Sequence, residues 1–311
     1  MWRRLLALFI ALIPAHGVYA APRVAVSIAP VHSLVQAVMD GVGQAHLVLG
    51  SNQSPHSGSL SPSAVRAVVS ADLMVWVGPQ LEGALSKLVG QVSPDRKITL
   101  LRFPEMELLS VRLKRVARGS DFEEHHDHNH EQGELGEQGN IDPHIWLSTA
   151  NASSIVVIVT RWLMEHDAAN ASRYKMNSMQ VLDEIARFRQ HALEELETVK
   201  QLKYATFHDA YQYFEHDFEF SSSSSVSMNV ENTPGAKHLR ELIQHFQEDG
   251  VRCIFSEPQF SSDAVEILTE NSNVRVGVLD PLGANLAPGK QLWFQLMGNL
   301  VMELTNCLEA S

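Results

Sequence analysis

The chain has 311 residues, 45% of them hydrophobic, and sets 24 basic against 36 acidic side chains for a formal charge of −12. So acidic a balance argues against nucleic acid or an anionic membrane as partner, and it favours cations. After the first twenty residues no stretch is long and apolar enough to span a bilayer.

The opening segment, "MWRRLLALFIALIPAHGVYA", has two arginines, an apolar run from Leu5 to Ile13, and compact residues ahead of Ala21. This is the pattern of a secretory signal peptide (1–20), with cleavage expected after Ala20. Removal takes Arg3 and Arg4 and moves the formal charge from −12 to −14. The remaining length suits one large domain or two modest ones.

The first half, 21–171, alternates strand and helix patterns. "RVAVSIAP" (Arg23–Pro30) reads as a strand and "HSLVQAVM" (His32–Met39) as a helix. Strand "HLVL" (His46–Leu49), a helix from near Pro62, strand "LMVWVG" (Leu73–Gly78), a short helix from Leu81 and strand "KITLL" (Lys97–Leu101) follow. Strands separated by helices of this length build βαβ units and a mainly parallel sheet.

Next comes a segment without apolar period, 121–139, in which "DFEEHHDHNH" interleaves His125, His126, His128 and His130 with carboxylates. Gly133, Gly136 and Gly139 close it. Imidazole and carboxylate are common metal ligands, so the tract reads either as a metal-catching loop or as a solvated acidic insert. A loop without fixed geometry does not impose a tight site by itself.

From Ser172 to Lys200, Met179, Leu182, Ile185, Phe188, Ala192, Leu196 and Val199 recur at three- and four-residue steps. That spacing describes an uninterrupted amphipathic helix about 43 Å long at 1.5 Å per residue, a strut between two lobes or a helix packed on one of them. In the second half, 201–311, "KYATF" (Lys203–Phe207), "RCIFS" (Arg252–Ser256) and "VRVGVL" (Val274–Leu279) read as strands. Helical patterns begin at Pro234, Ser262 and Gly289. Cys253 and Cys307, an even pair in an exported chain, read as a disulfide; two buried thiols fit an oxidising compartment less well.

His56, His144, His208 and Asp280 each follow or flank an expected strand or the histidine-rich tract. In open α/β sheets ligands bind at the carboxyl ends of strands, and three imidazoles with a carboxylate suit four-coordinate zinc. Taken singly, each histidine is more often a structural residue, and Asp280 before Pro281 is more often a turn residue. The spacings match no local motif such as H-E-x-x-H.

The phrases "SPHSGSLSPS", "ADLMVWVGPQLE", "NIDPHIWLS", "ATFHDAYQYFE", "CIFSEPQF" and "LDPLG" add a resemblance across nearly all of the mature chain. In this order they are similar to the zinc-binding periplasmic components of bacterial ABC importers, the ZnuA type of the cluster A-I solute-binding proteins. The resemblance implies two pseudo-symmetric α/β lobes, each a mainly parallel sheet flanked by helices, joined by one long helix (172–200). It implies zinc ligation by His56 and His144 from one lobe and His208 from the other. Asp280 matches the position that supplies a carboxylate in manganese-binding relatives, and the histidine-rich loop is implied to gather zinc near the cleft.

Two departures stand out. Pro55 replaces the acidic residue that often precedes the first histidine, and the histidine-rich loop is short. The implied function is periplasmic capture of Zn2+ by a monomer and its delivery to a membrane permease, with no catalysis and no nucleic acid partner. A manganese carrier on the same fold is the nearer alternative, favoured if oxygen ligands outnumber imidazoles. A zinc hydrolase is the more distant one. It would need a general base, for which Glu257 is the candidate, although a structural salt bridge or an outer contact to the metal site serves Glu257 equally well.

Overall fold

The computed structural model describes residues 20–50, 52–56, 59–112, 141–220, 224–227, 244, 246–259 and 274–310. The signal segment, the histidine-rich loop with His125, His126, His128 and His130, and the helical patterns from Pro234 and Ser262 lie outside them.

Two four-stranded sheets organise the chain. The first half runs β1 (Val24–Val26), α1 (Ala29–Val38), β2 (His46–Leu47), α2 (Pro62–Ser70), β3 (Leu73–Trp76), α3 (Gly83–Gly90) and β4 (Lys97–Thr99). Helices α4 (Thr149–His166) and α5 (Ala171–Leu196) lead into the second half. That half runs β5 (Tyr204–His208), α6 (Gln212–Asp217), β6 (Ser224–Ser227), β7 (Cys253–Ser256), β8 (Arg275–Val278) and α7 (Leu292–Glu309). Spatial orders are β2-β1-β3-β4 and β6-β5-β7-β8, the same permutation twice, and all six pairings are parallel. The halves therefore repeat one topology without a visible sequence repeat.

Local chemistry explains the elements. Every residue of β3 and of β7 is buried, as expected of a parallel strand covered by helices on both faces. Ser61 caps α2 by accepting from the Ala64 amide at 3.1 Å, and Pro62 fills the first turn, where no amide donor is required. Pro30 plays that second part in α1, so Ala29 and Pro30 begin the helix rather than end the strand. Gly277 in β8 lies where an added Cβ would come within 2.5 Å of the Phe255 ring, so the strand closes tightly over that side chain.

Three features differ from the sequence reading. Helix α4 was not anticipated; its Ile155–Thr160 run is mostly β-branched, yet Ser148 starts a helix by accepting from the Ala150 and Asn151 amides. The buried face of α5 keeps Ile185, Ala192 and Leu196 of the expected stripe, with Leu182 and Phe188 half-buried against the core, and adds Tyr174, Asn177 and Val181, while Met179 is 62% exposed. Asn177 takes the inner place because its amide donates to the carbonyls of Val38 and Asp40, both at 2.8 Å. Strand β6 falls in the serine-rich run, which carries no apolar signal.

The helical layer ties the halves together. α5 packs against α4, α1 and α7, while α7 also touches α1 and β8. The start of α7 is fixed to the first half, where the Trp293 amide donates to Ser33 Oγ at 2.9 Å and Lys290 pairs with Asp40 at 2.8 Å. Its end is fixed to the second half by the disulfide between Cys307 and Cys253 of β7, with Cα atoms 6.2 Å apart. No helix among the described residues is long and apolar enough to cross a membrane.

Candidate metal centre

In each half the strand order reverses beside the first strand, between β1 and β3 and between β5 and β7. Crevices at such points, beyond the carboxyl ends of the strands, are where open α/β sheets bind ligands. His208 is the last residue of β5 and lies beside β6 and β7, within the strand rather than after it. His56 stands in a turn of the loop beyond β2. His144 opens the short 3-10 turn Ile145–Leu147, whose side chains are all buried. Trp146 in that turn donates from Nε1 to the Pro281 carbonyl at 2.7 Å, pinning the His144 segment to the second half.

These placements bring His56, His144 and His208 together, with one donor atom from each lying within 4.8 Å of the others. The Nε2 atoms of His56 and His144 are 3.4 Å apart. Two imidazole nitrogens on a tetrahedral zinc, each at about 2.0–2.1 Å, stand about 3.3–3.4 Å from one another. That edge of the tetrahedron is already formed, and His208 has little distance to travel to complete a face. The three rings border a cavity of about 240 Å³ together with Arg112, Asp142, Asp209 and Gln212.

Each of the three imidazoles has a reason to offer a nitrogen to the cavity. Burial, then the neighbouring His144 and His208, push the His56 pKa down to about 3, so its imidazole is neutral and ready to bind. His144 is 4% exposed and directs Nδ1 to Asp142 Oδ1 at 2.7 Å, leaving Nε2 for the cavity. The same Asp142 oxygen accepts from the His144 backbone amide at 3.0 Å, which locks the carboxylate in place. His208 Nδ1 lies 3.4 Å from Glu257 Oε1, again freeing Nε2. For His208 burial opposes the charged form, but Glu257 outweighs it and the pKa is raised above its ordinary value. Carboxylate partners of this kind fix ring orientation and raise ligand basicity.

Asp280 is not brought into the cluster. Its Oδ1 accepts from the amides of Leu282 (3.1 Å) and Gly283 (2.9 Å), and its Oδ2 from Ala284 (2.6 Å). Gly283 turns there with φ +71°, a conformation that favours glycine. The carboxylate thus organises the loop after β8. The Tyr211 hydroxyl sits 3.3 Å from Glu257 Oε1, so Glu257 stands between Tyr211 and His208 and does not line the cavity as a base for bound water. Asp142 was missed by sequence reasoning, although a carboxylate two residues before a candidate ligand, in "DPH", is close enough to reach that residue's Nδ1.

Arg112, also missed, lines the same cavity. Its guanidinium grips Asp209 with Nε (3.2 Å) and Nη2 and reaches Glu215 with Nη1. Further contacts between the halves run beside it. Tyr213 Oη accepts from the Leu109 amide at 2.9 Å and donates to the Asp142 carbonyl at 2.8 Å. Asp217 accepts from the Thr149 amide and hydroxyl, both at 2.6 Å.

The family model for the periplasmic zinc-uptake complex component A, ZnuA, matches residues 24–307. A high-affinity zinc uptake system protein ZnuA of Brucella abortus is 34% identical over 309 residues, covering 92% of this chain and 91% of the relative. A crystal structure of ZnuA shares the fold at TM-score 0.75 with 21% identity, covering 93% of this chain and 100% of that one. A zinc-bound ZnuA deletion mutant does so at TM-score 0.72 with 22% identity, covering 94% and 99%.

Proposed function

The chain belongs to the ZnuA family of periplasmic zinc-uptake components, and from that premise we propose that His56, His144 and His208 hold its Zn2+ cargo. The observation that carries the reading is the convergence of three imidazoles from both halves, with donor atoms within 4.8 Å. Zinc accepts a four-coordinate nitrogen set at borderline softness, and water fills the fourth position, since Asp280 is committed to backbone amides.

His56 and His144 belong to the first half and His208 to the second, so the metal cross-links the two. Capture stabilises the closed arrangement, and delivery to the ABC permease requires that arrangement to open. The long helix α5 connects the lobes, with the domain limits 21–171, 172–200 and 201–311. The histidine-rich loop supplies His125, His126, His128 and His130 as weak auxiliary sites. The chain is exported by cleavage after Ala20, works as a monomer, and catalyses no reaction. An all-imidazole cluster disfavours the manganese alternative, and Glu257, paired with His208, is poorly placed to act as a hydrolase's general base.

Metal content of the purified mature protein after mild dialysis tests the reading. One equivalent of retained zinc is expected, and it should vanish in His208→Ala. Zinc retained equally by wild type and by His208→Ala would place the site elsewhere.

A further inference from the structure

Two carboxylates line the metal cavity among the described residues, and they are held in different ways. Asp142 is bound to His144, where its charge makes that imidazole a better ligand. Asp209 adjoins His208 in sequence, yet its two carboxylate oxygens accept from Arg112, one from Nε and one from Nη2. The Asp209 side chain is 11% exposed and that of Arg112 17%, so solvent does little to screen the pair. Arg112 is anchored from its other side by Glu215, 5% exposed, which also accepts from the Tyr204 hydroxyl at 2.7 Å. A planar guanidinium gripping one carboxylate through two nitrogens and a second through the third is a rigid clamp, and a lysine ammonium has no equivalent of that fork.

We propose that Arg112 is a specificity-determining residue: by clamping Asp209 it keeps a hard oxygen donor off the metal and leaves the cargo an all-imidazole ligand set. The inference rests on the three-histidine site proposed above and goes further, because it says what the cavity withholds as well as what it offers. Carboxylate oxygen suits Mn2+ and other hard cations, whereas imidazole suits Zn2+. An unclamped Asp209 would sit on the cavity wall next to His208, positioned to supply a fourth ligand. Zinc gains modestly from such a ligand, since three imidazoles and water already satisfy it. Manganese, which binds imidazole weakly, gains more. Discrimination against a competitor often resides in a group that is kept away from the wrong ligand as much as in those that meet the right one.

Competitive titration of the full-length mature protein with Zn2+ and with Mn2+ tests this. In Arg112→Gln the affinity for manganese should rise on the order of 10–100-fold, the scale on which groups around metal ligands act, while zinc changes less. Adding Asp209→Asn to that variant should return the zinc-to-manganese ratio to the wild-type value. Asp209→Asn alone should leave the ratio unchanged, because the clamped carboxylate is not a ligand. If the loss of Arg112 prevents folding, Arg112→Gln with Glu215→Gln removes one of the two orphaned charges and keeps Asp209 free. An unchanged ratio in the folded Arg112 variants overturns the proposal. So does a narrowed ratio that Asp209→Asn fails to restore, or a changed ratio in Asp209→Asn alone. Failure of the histidine site itself has a separate signature, undiminished zinc binding by His208→Ala.

Discussion

Asp142 offers a test of how an outer carboxylate sets metal affinity. Its Oδ1 lies 2.7 Å from His144 Nδ1, and the two residues are 3% and 4% exposed, so the contact is short and shielded from water. Asp142→Asn preserves the shape and leaves an amide oxygen to accept the Nδ1 proton, but removes the charge. A charge-assisted hydrogen bond is roughly twice as strong as a neutral one, so the smaller part of the effect should appear here, about tenfold weaker zinc binding. Asp142→Ala also lets the ring turn and exchange its tautomer, and the loss should approach 100-fold. Together the variants span about 1.4–2.7 kcal/mol, at about 1.4 kcal/mol per decade. Competition against a zinc-binding indicator at fixed pH measures both, with circular dichroism confirming the fold. Wild-type affinity in both variants would refute the argument. Equal losses in the two would show that charge matters and orientation does not.

Replacing His208 with Ala should cost more than the 100-fold expected of an outer partner, since a direct ligand is lost; His208→Glu should partly restore binding and narrow the preference for zinc over manganese, both read by competitive titration. The pH dependence has a definite sign: zinc requires neutral imidazole, and the His208 pKa is raised, so affinity is full above that pKa and falls by up to a decade per pH unit below it. His56, held down to about 3, should add no proton competition across that range, so a flat zinc affinity between about pH 8 and 5 would contradict the part assigned to His208. Cys253→Ser with Cys307→Ser should lower unfolding free energy by about 4 kcal/mol for a 54-residue separation, visible as a shifted denaturation midpoint; an unchanged midpoint would deny the bridge a stabilising part. Deleting 122–139 should abolish weak extra zinc binding in calorimetry and spare the tight site; loss of the tight event would mean that the loop supplies a ligand.

The fold was legible where the sequence carries uniform apolar runs. Leu73–Trp76 and Cys253–Ser256 are strands buried throughout, and they read as such. Boundaries failed where capping overrides hydrophobicity, as at Ala29 and Pro30, which open α1. Helix α4 escaped because a short β-branched apolar run has no decisive period, and Ser148 was the cue to its start. Asn177 shows the complementary error: a polar residue can occupy the inner face of a helix when backbone carbonyls receive it. Within the site, the three histidines were nameable because imidazole in strand-end loops is chemically conspicuous, and the family resemblance aligned them. The parts played by Asp142, Arg112 and Asp280 depend on which hydrogen-bond partner each charge finds. For Asp142 and Asp280 those partners lie two to four residues away, whereas the Arg112 pairing with Glu215 spans 103 residues and no local pattern encodes it.

The placement of α7 has a consequence for how the polypeptide matures. A chain emerges N-terminus first, so α1, with Val31, Leu34, Val35 and Val38 buried, is made well before the helix that packs on it. The helix that covers part of it begins at Leu292, more than 250 residues later. Until then the early half carries an unfinished apolar face, and joining Ser33 to Trp293 spans 260 residues, a closure of high contact order. The first half is therefore a latecomer to its own completion, open to holding factors and proteases throughout elongation. Cys307, fifteen residues beyond the helix start and bonded to Cys253, then seals that helix in place.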